Sequence, residues 1–113
     1  FAQTIQDNDL VLVDFWAEWC GPCKRFGPIF EQVSDEMPDS VFAKVDTDAN
    51  QELAGGLGIQ AIPTLMVFRK GALVYREAGA INAAQLKKLI DQAKALDIDK
   101  LKAEAASAKP STE

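Results

Sequence analysis

Cys20 and Cys23 are the only cysteines in this 113-residue chain, and they stand two residues apart in Trp19-Cys20-Gly21-Pro22-Cys23-Lys24. The segment falls where an apolar run of strand character ends and a helical pattern begins. Thiols at this spacing can close into a small disulfide ring and reopen, which is redox chemistry. The first turn of a helix leaves backbone N–H groups without intrahelical partners, and the helix dipole adds partial positive charge there. A thiol placed at that point ionises more easily. Because an unperturbed thiol of pKa ~8.5 is only about 3% thiolate at pH 7, any lowering multiplies the nucleophile. Cys20, just before the helix, is the expected nucleophile. Cys23, one turn in, is expected to be more shielded and to resolve a mixed disulfide. Pro22 suits the first helical position, where a missing N–H costs nothing, and Gly21 removes bulk so that a partner chain can approach.

Two other uses of the pair fit the residues less well. As a structural staple, the bridge closes a very short ring, for which loop entropy gives roughly 2 kcal/mol against ~4.7 for a hundred-residue loop. A structural zinc needs four nitrogen or sulfur ligands. With no histidine, the chain offers two cysteines and carboxylates, so zinc would require a dimer, and no metal site is expected.

The elements that must hold the pair belong to one domain, since 113 residues leave no room for a second. A hydrophobic fraction of 48% and a charged fraction of 26% describe an ordinary globular chain. A net charge of −5, with no basic stripe, argues against nucleic-acid binding, which needs clustered cations to neutralise phosphates. No apolar run approaches the ~20 residues of a membrane span, and no signal-peptide pattern is present. The chain begins at Phe1 and not at a methionine, which leaves room for a removed leader. Two cysteines in a reactive spacing suit a reducing compartment, so a cytoplasmic location is expected.

The run Val13-Asp14-Phe15-Trp16-Ala17-Glu18-Trp19-Cys20-Gly21-Pro22-Cys23-Lys24 resembles the active-site segment of bacterial thioredoxins. The similarity continues through Ala43-Lys44-Val45-Asp46, Ile62-Pro63-Thr64 and Gly79-Ala80, and it covers Phe1 to about Leu96. The cysteine motif alone is shared by many redox proteins, whereas the ordered set of segments is specific. The resemblance implies a thioredoxin fold of the α/β class, with a central mixed β-sheet flanked by helices. It further implies a protein disulfide reductase with no bound cofactor, supplied with electrons from NADPH through a flavoprotein, thioredoxin reductase. Disulfide-containing proteins are the implied substrates. A monomer is expected, with no nucleic-acid or membrane partner.

Phe1 and Ile5 share a face at helical spacing, which predicts a short helix over Phe1 to Asp9. In the family a strand precedes this helix and pairs with the strand expected at Val41 to Asp46. Here nothing precedes it, so either the strand is lost or the chain is truncated, and that sheet edge is expected to be open. Leu10 to Trp16 is nearly continuously apolar, as in a parallel strand covered on both faces. Asp14 interrupts it. A buried carboxylate is costly unless protonated or hydrogen-bonded, so Asp14 reads on its own as a satisfied structural aspartate. The resemblance gives it a second reading, proton transfer to and from the buried thiol, for which burial should raise its pKa towards neutrality.

Phe26, Ile29, Phe30, Val33 and Met37 mark a helix from Cys23 to Met37, kinked at Pro28 and weakened at Gly27. Lys44, on the strand's Phe42 side, reads as a solvated side chain, and by resemblance lies close to Asp14, where its charge would oppose the effect of burial. A short helix over Asn50 to Ala54 is expected to stop at Gly55-Gly56, and the carboxylates before it lack the spacing of a calcium loop. Pro63 alone reads as a residue tolerated at a strand start. By resemblance it is cis and packs against the disulfide, while Ile62 offers backbone hydrogen bonds to substrate as an added strand. Lys70-Gly71 predicts a tight turn, and Asn82 with Gln85 predicts a capped helix whose buried face is Ala83, Leu86, Leu89, Ile90 and Ala93. Ala78-Gly79-Ala80 reads either as an unhindered loop or, by resemblance, as a flank of the substrate groove.

The expected domain spans residues 1–101, and residues 102–113 form a tail of fraying helix and disorder. Trp19, Gly21, Pro22, Ile62, Pro63, Gly79 and Ala80 are the expected docking surface, and Cys20, Cys23, Asp14 and Lys44 the expected chemical groups. Two rivals share the sequence: an oxidant or isomerase, against which Gly-Pro between the cysteines speaks, and a binding module whose apolar rim matters and whose sulfurs do not.

Overall fold

The computed structural model describes the backbone of residues 1–107. Nine elements follow in order: α1 (Ala2–Asp7), β1 (Leu10–Trp16), α2 (Gly21–Glu36), β2 (Val41–Asp46), α3 (Gln51–Gly56), β3 (Thr64–Arg69), β4 (Ala72–Ala78), α4 (Ala83–Ala95) and α5 (Ile98–Ser107). The strands form one mixed sheet in the order β2-β1-β3-β4. β1 runs parallel to β2, and the β1–β3 and β3–β4 pairs are antiparallel. This is the thioredoxin fold that the resemblance implied. Among the described residues β2 pairs with β1 alone.

Two-residue alternation sends the side chains of β1 to opposite faces of the sheet. Leu10 and Leu12 join Phe26, Phe30, Val33, Leu86 and Ile90 in a core beneath α2 and α4. Val11, Val13 and Phe15 join Ile5, Val45 and Phe68 in a second core on the other face. Both faces are covered, which is why β1 reads as an almost unbroken apolar run. Asp14 falls on the same face as Leu10 and Leu12, the one that α2 covers. On β2, Phe42 packs against that same core, so Lys44, two residues on, shares the side.

Local signals account for most element ends. Asn82 accepts from the Gln85 N–H at 2.8 Å, and the Gln85 side chain accepts from the Asn82 N–H at 3.0 Å, a complete capping box at the start of α4. Lys70 and Gly71 both take positive φ, at 49° and 82°, which makes the hairpin turn type I′. Helix α2 runs through Pro28 to Glu36. Its first helical residue is Gly21, so Pro22 sits one place later than expected, where its N–H would still lack an intrahelical partner.

Helix α3 departs from the expectation of a stop at Gly55-Gly56. Both glycines lie in its last turn, and the turn-off comes at Gly58, whose φ is +69°. The Gly58 N–H donates to the Gly55 carbonyl at 3.1 Å and the Ile59 N–H to the Ala54 carbonyl at 2.9 Å. That pair of bonds is a Schellman motif, and it needs its left-handed residue one step past the C-cap Leu57, where glycine carries no Cβ penalty. Helix α5 crosses the expected boundary between residues 101 and 102, and of the expected tail residues 108–113 lie outside the described residues. Among the described residues no helix is long and apolar enough to cross a membrane.

Candidate active site

The C-terminal end of β1 and the start of α2 bring the sulfurs together. Cys20 is the N-cap of α2, with extended backbone (φ −89°, ψ 111°), and its sulfur accepts the Cys23 N–H at 3.2 Å. It therefore fills the place that a Ser or Asp oxygen usually takes, where a negative atom is favoured by unpaired N–H groups and by the dipole. Cys20 and Cys23 are joined as a disulfide, with Cα atoms 5.2 Å apart. They form a small buried cluster with Ala17, against which Trp16 and Ile62 pack. The expected difference in shielding is not found: each cysteine is 4% exposed. The two differ in what surrounds them. Cys20 lies 3.6 Å from the Ile62 carbonyl oxygen, a partner its thiol can donate to when reduced. Cys23 borders an open groove of about 270 Å³ that it shares with Trp16, Glu18, Lys24, Gly27 and Lys44.

The peptide bond between Ile62 and Pro63 is cis, as the resemblance implied. Pro63 is buried, and its carbonyl accepts the Gly79 N–H at 2.8 Å, which carries the β3–β4 ladder one step past the strands. Gly79 reaches that bond with φ +112°, and Ala80 beside it is exposed. Among the described residues the Ile62 N–H has no backbone partner. Ile62 thus presents a free backbone donor on the rim next to Cys20. Gly21 and Pro22 are exposed on the same rim, and Trp19 projects from it with 70% of its surface accessible. The Trp19 indole N–H donates to Asp48 Oδ2 at 3.0 Å, which ties this side chain to the loop after β2. Of the seven expected docking residues, Trp19 stands in the loop after β1, Gly21 and Pro22 in the first turn of α2, Ile62 and Pro63 just before β3, and Gly79 and Ala80 just after β4.

Asp14 is fully buried, and neither carboxyl oxygen has a hydrogen-bond partner among the described residues. No protein group among the described residues supplies the hydrogen bonds that a satisfied structural aspartate would use. Burial pushes its pKa up from 3.8 to about 6, with the Lys44 charge pulling the other way. Desolvation is the larger of the two effects. Although Lys44 is the register partner of Asp14, its Nζ lies 5.1 Å from the centroid of the Trp16 ring. A cation over an indole face is stabilised by about 0.5–1 kcal/mol at an exposed site.

A wider hollow of about 530 Å³ runs over Asp48 to Leu53 and holds no thiol. Its carboxylates act on the loop: Asp46 Oδ1 accepts from the N–H groups of Asp48 and Ala49 at 2.9 and 3.3 Å. Among the described residues no group of three or more His, Cys, Asp or Glu side chains could hold a metal ion. Three long-range contacts escaped the sequence reading. Trp16 holds the lysine, Asp48 holds Trp19, and Arg76 binds the carbonyls of Leu57 and Gly58 at 2.6 and 2.8 Å. Each acts across a long sequence separation, for which no local spacing is a signal.

The chain as a whole is similar to known proteins. The Thioredoxin family model matches residues 1–92. A curated relative, "Putative thioredoxin 2" of Streptomyces coelicolor, is 52% identical over 102 residues, covering 90% of this chain and 76% of the relative. "Thioredoxin C-3" of Corynebacterium nephridii is 45% identical over 93 residues, 81% of this chain, and the chain spans 64% of that relative's length. The solution structure of oxidised thioredoxin from Plasmodium falciparum superposes with a TM-score of 0.72 at 43% identity, covering 81% of this chain and 88% of that one. The strand-to-helix junction that carries Cys20 and Cys23 is thus set in a chain that belongs to the thioredoxin family, whose members are oxidoreductases of thiol–disulfide exchange.

Proposed function

We propose that this protein reduces disulfides in other proteins, and that Cys20 begins the reaction. The observation that carries this reading is the placement of Cys20 Sγ at the N-cap of α2, taking the Cys23 N–H at 3.2 Å and lying 3.6 Å from the Ile62 carbonyl. In the reduced protein the Cys20 thiolate attacks one sulfur of the substrate disulfide. A Cys20–substrate bond forms, and the other substrate sulfur leaves as a thiolate. The Cys23 thiol then gives up its proton and attacks Cys20 Sγ, which closes the Cys20–Cys23 bond and expels the second substrate sulfur. Two electrons pass from the protein to the substrate, and the protons end on the substrate thiols.

Asp14 takes the Cys23 proton. A carboxyl whose pKa is raised to about 6 is a better match to neutral pH than an ordinary aspartate, and efficient general bases titrate near the working pH. Lys44 limits that rise from its place over Trp16. The free Ile62 backbone, cis Pro63, Gly79 and Ala80 take an extended substrate segment as an added strand, with Trp19, Gly21 and Pro22 completing the apolar rim. The exchange uses no bound cofactor. The dithiol is restored by NADPH through a flavoprotein, thioredoxin reductase, in the cytoplasm, and the protein acts as a monomer.

Insulin reduction with dithiothreitol as electron source tests the reading. The wild-type protein is expected to accelerate it, Cys20→Ser to abolish the acceleration, and Cys23→Ser to accumulate a mixed disulfide through Cys20. No acceleration by the wild type, or full activity of Cys20→Ser, would overturn the assignment. A redox potential well below that of the glutathione couple separates a reductase from an oxidant.

A further inference from the structure

The chain between α3 and β3 is held at its start by β4 and at its finish by the residue that follows β4. At its finish, the Gly79 N–H donates to the Pro63 carbonyl at 2.8 Å. At its start, Arg76 reaches across from β4: Nη1 donates to the Leu57 carbonyl at 2.6 Å and Nη2 to the Gly58 carbonyl at 2.8 Å. Between these anchors the segment has little of its own to fix it. Among the described residues neither the Gln60 N–H nor the Ile62 N–H has a backbone partner, and the internal tie is the Thr64 hydroxyl donating to the Ala61 carbonyl.

The chemistry of the Arg76 contact is specific. The Schellman bonds that end α3 use the carbonyls of Ala54 and Gly55, which leaves those of Leu57 and Gly58 to be satisfied from outside the helix. These carbonyls lie just past the negative end of the α3 dipole, and a planar guanidinium can meet two of them at once. Arg76 stands opposite Met66 in the β3–β4 ladder and is exposed, so the sheet itself does not require a cation there. An open groove of about 320 Å³ bordered by Gly58, Gln60, Thr64, Arg76 and Glu77 lies beside the segment. Released at Leu57 and Gly58, the segment has room to settle into it.

We infer that Arg76 is a positioning residue for substrate docking: by clamping the Leu57 and Gly58 carbonyls it fixes where Ile62 presents its backbone beside Cys20. The inference rests on the proposed reaction, in which a protein substrate adds as a strand along Ile62. A small disulfide needs the sulfur alone and is indifferent to that strand.

Arg76→Met and Arg76→Lys, pre-reduced with dithiothreitol, are compared with wild type on insulin and on a small aromatic disulfide. Because freeing a docking residue adds ordering entropy that binding must overcome, Arg76→Met is expected to raise the KM for insulin about three- to tenfold, with kcat changed less than about twofold. The small-disulfide rate is expected to stay at the wild-type value. Arg76→Lys should restore part of the KM, since a point charge cannot meet both carbonyls in one fork. Amide exchange at Gln60 and Ile62 should quicken in the Met variant while β1 amides keep their rates. An unchanged insulin KM, or equal losses on both disulfides, overturns the inference. Should the Met variant not fold, an unchanged KM in the Lys variant overturns it equally. Failure of the wild type on both disulfides refutes the thiol-pair reading instead.

Discussion

Asp14 on β1 stands in register with Lys44 on β2, yet the Lys44 ammonium lies over the Trp16 ring, 5.1 Å from its centroid. The two charges are neighbours in the ladder without being bonded. A buried carboxyl with no hydrogen-bond partner among the described residues is costly to ionise, and a cation at a distance offsets only part of that cost. The protein therefore keeps on β1 a buried group that accepts a proton well above the ordinary aspartate range.

This arrangement makes stability depend on pH in a stated direction. The Asp14 pKa is 3.8 as the reference value and about 6 when folded, so between these values the folded state holds the proton that the unfolded state has lost. Stability conferred by the protonated group is fully present below the unfolded value and is lost as pH rises through the folded one. Two pKa units correspond to roughly 3 kcal/mol, lost between about pH 4 and pH 7. Asp14→Asn removes the titration, so in urea unfolding of the oxidised protein the variant should gain on wild type by that amount between the two pH values. Any fixed cost of the new amide cancels in the comparison. A wild-type-to-variant difference that is equal at pH 4 and pH 7 would refute the account.

Gly27 sits inside α2, buried, with a built Cβ falling 3.4 Å from Lys44 Nζ. The atom it meets is the far end of a flexible side chain, so the ammonium can shift. Gly→Ala inside a helix stabilises by up to ~1 kcal/mol, and crowding of a Cβ against the following Pro28 reduces the gain, so about 0.5 kcal/mol is expected for Gly27→Ala. The urea midpoint should rise slightly, and Trp16 emission should change as the cation moves off the ring. A variant destabilised by more than about 1 kcal/mol would show that the space under Lys44 is needed for packing.

Several parts of this molecule were legible because their causes are local. The apolar run Leu10–Trp16 is β1 residue for residue, and Asn82 with Gln85 announced the start of α4. The Lys70-Gly71 turn follows from two positions that take positive φ. Where two local signals compete, sequence misleads: Gly55-Gly56 looks like a helix stop, but the Schellman bonds require the left-handed residue at Gly58. Shielding of the cysteines was misjudged for another reason. Ile62 and Trp16 cover the pair from other elements, and burial of that kind has no periodicity along the chain. The cis bond at Ile62-Pro63 came from resemblance alone, since an isolated X-Pro bond is cis in only about 5–6% of cases.

Arg69 is a buried cation on β3, 9% exposed, whose Nη1 donates to the carbonyls of Ala93, Lys94 and Leu96 at 2.7, 2.9 and 3.3 Å. Its Nε lies 3.2 Å from Asp9 Oδ2. One side chain thus satisfies the end of α4, where the helix dipole is negative, and joins it to the loop before β1. Arg69→Met keeps the apolar stem and leaves those carbonyls without their donor. The expected loss is about 2–4 kcal/mol in denaturant unfolding, because breaking one side of a buried charged contact strands its partners. A loss below about 1 kcal/mol would mean that water replaces the guanidinium without cost.

Gly79 separates backbone strain from steric crowding. Its φ of +112° disfavours any side chain, but a built Cβ there meets no atom within 4 Å. An alanine at this position is therefore strained by its dihedral angle alone, on the order of 1–2 kcal/mol. Open surroundings allow the loop to relieve the strain by rotating, at the expense of the 2.8 Å bond from the Gly79 N–H to the Pro63 carbonyl. That bond anchors the segment on which, in the proposed reaction, a substrate strand docks. Gly79→Ala should thus lower stability by less than the full strain while slowing insulin reduction several-fold, with the rate on a small aromatic disulfide kept. A variant that loses the full strain in stability but reduces insulin at the wild-type rate would show that the loop holds its conformation and that docking does not depend on this anchor.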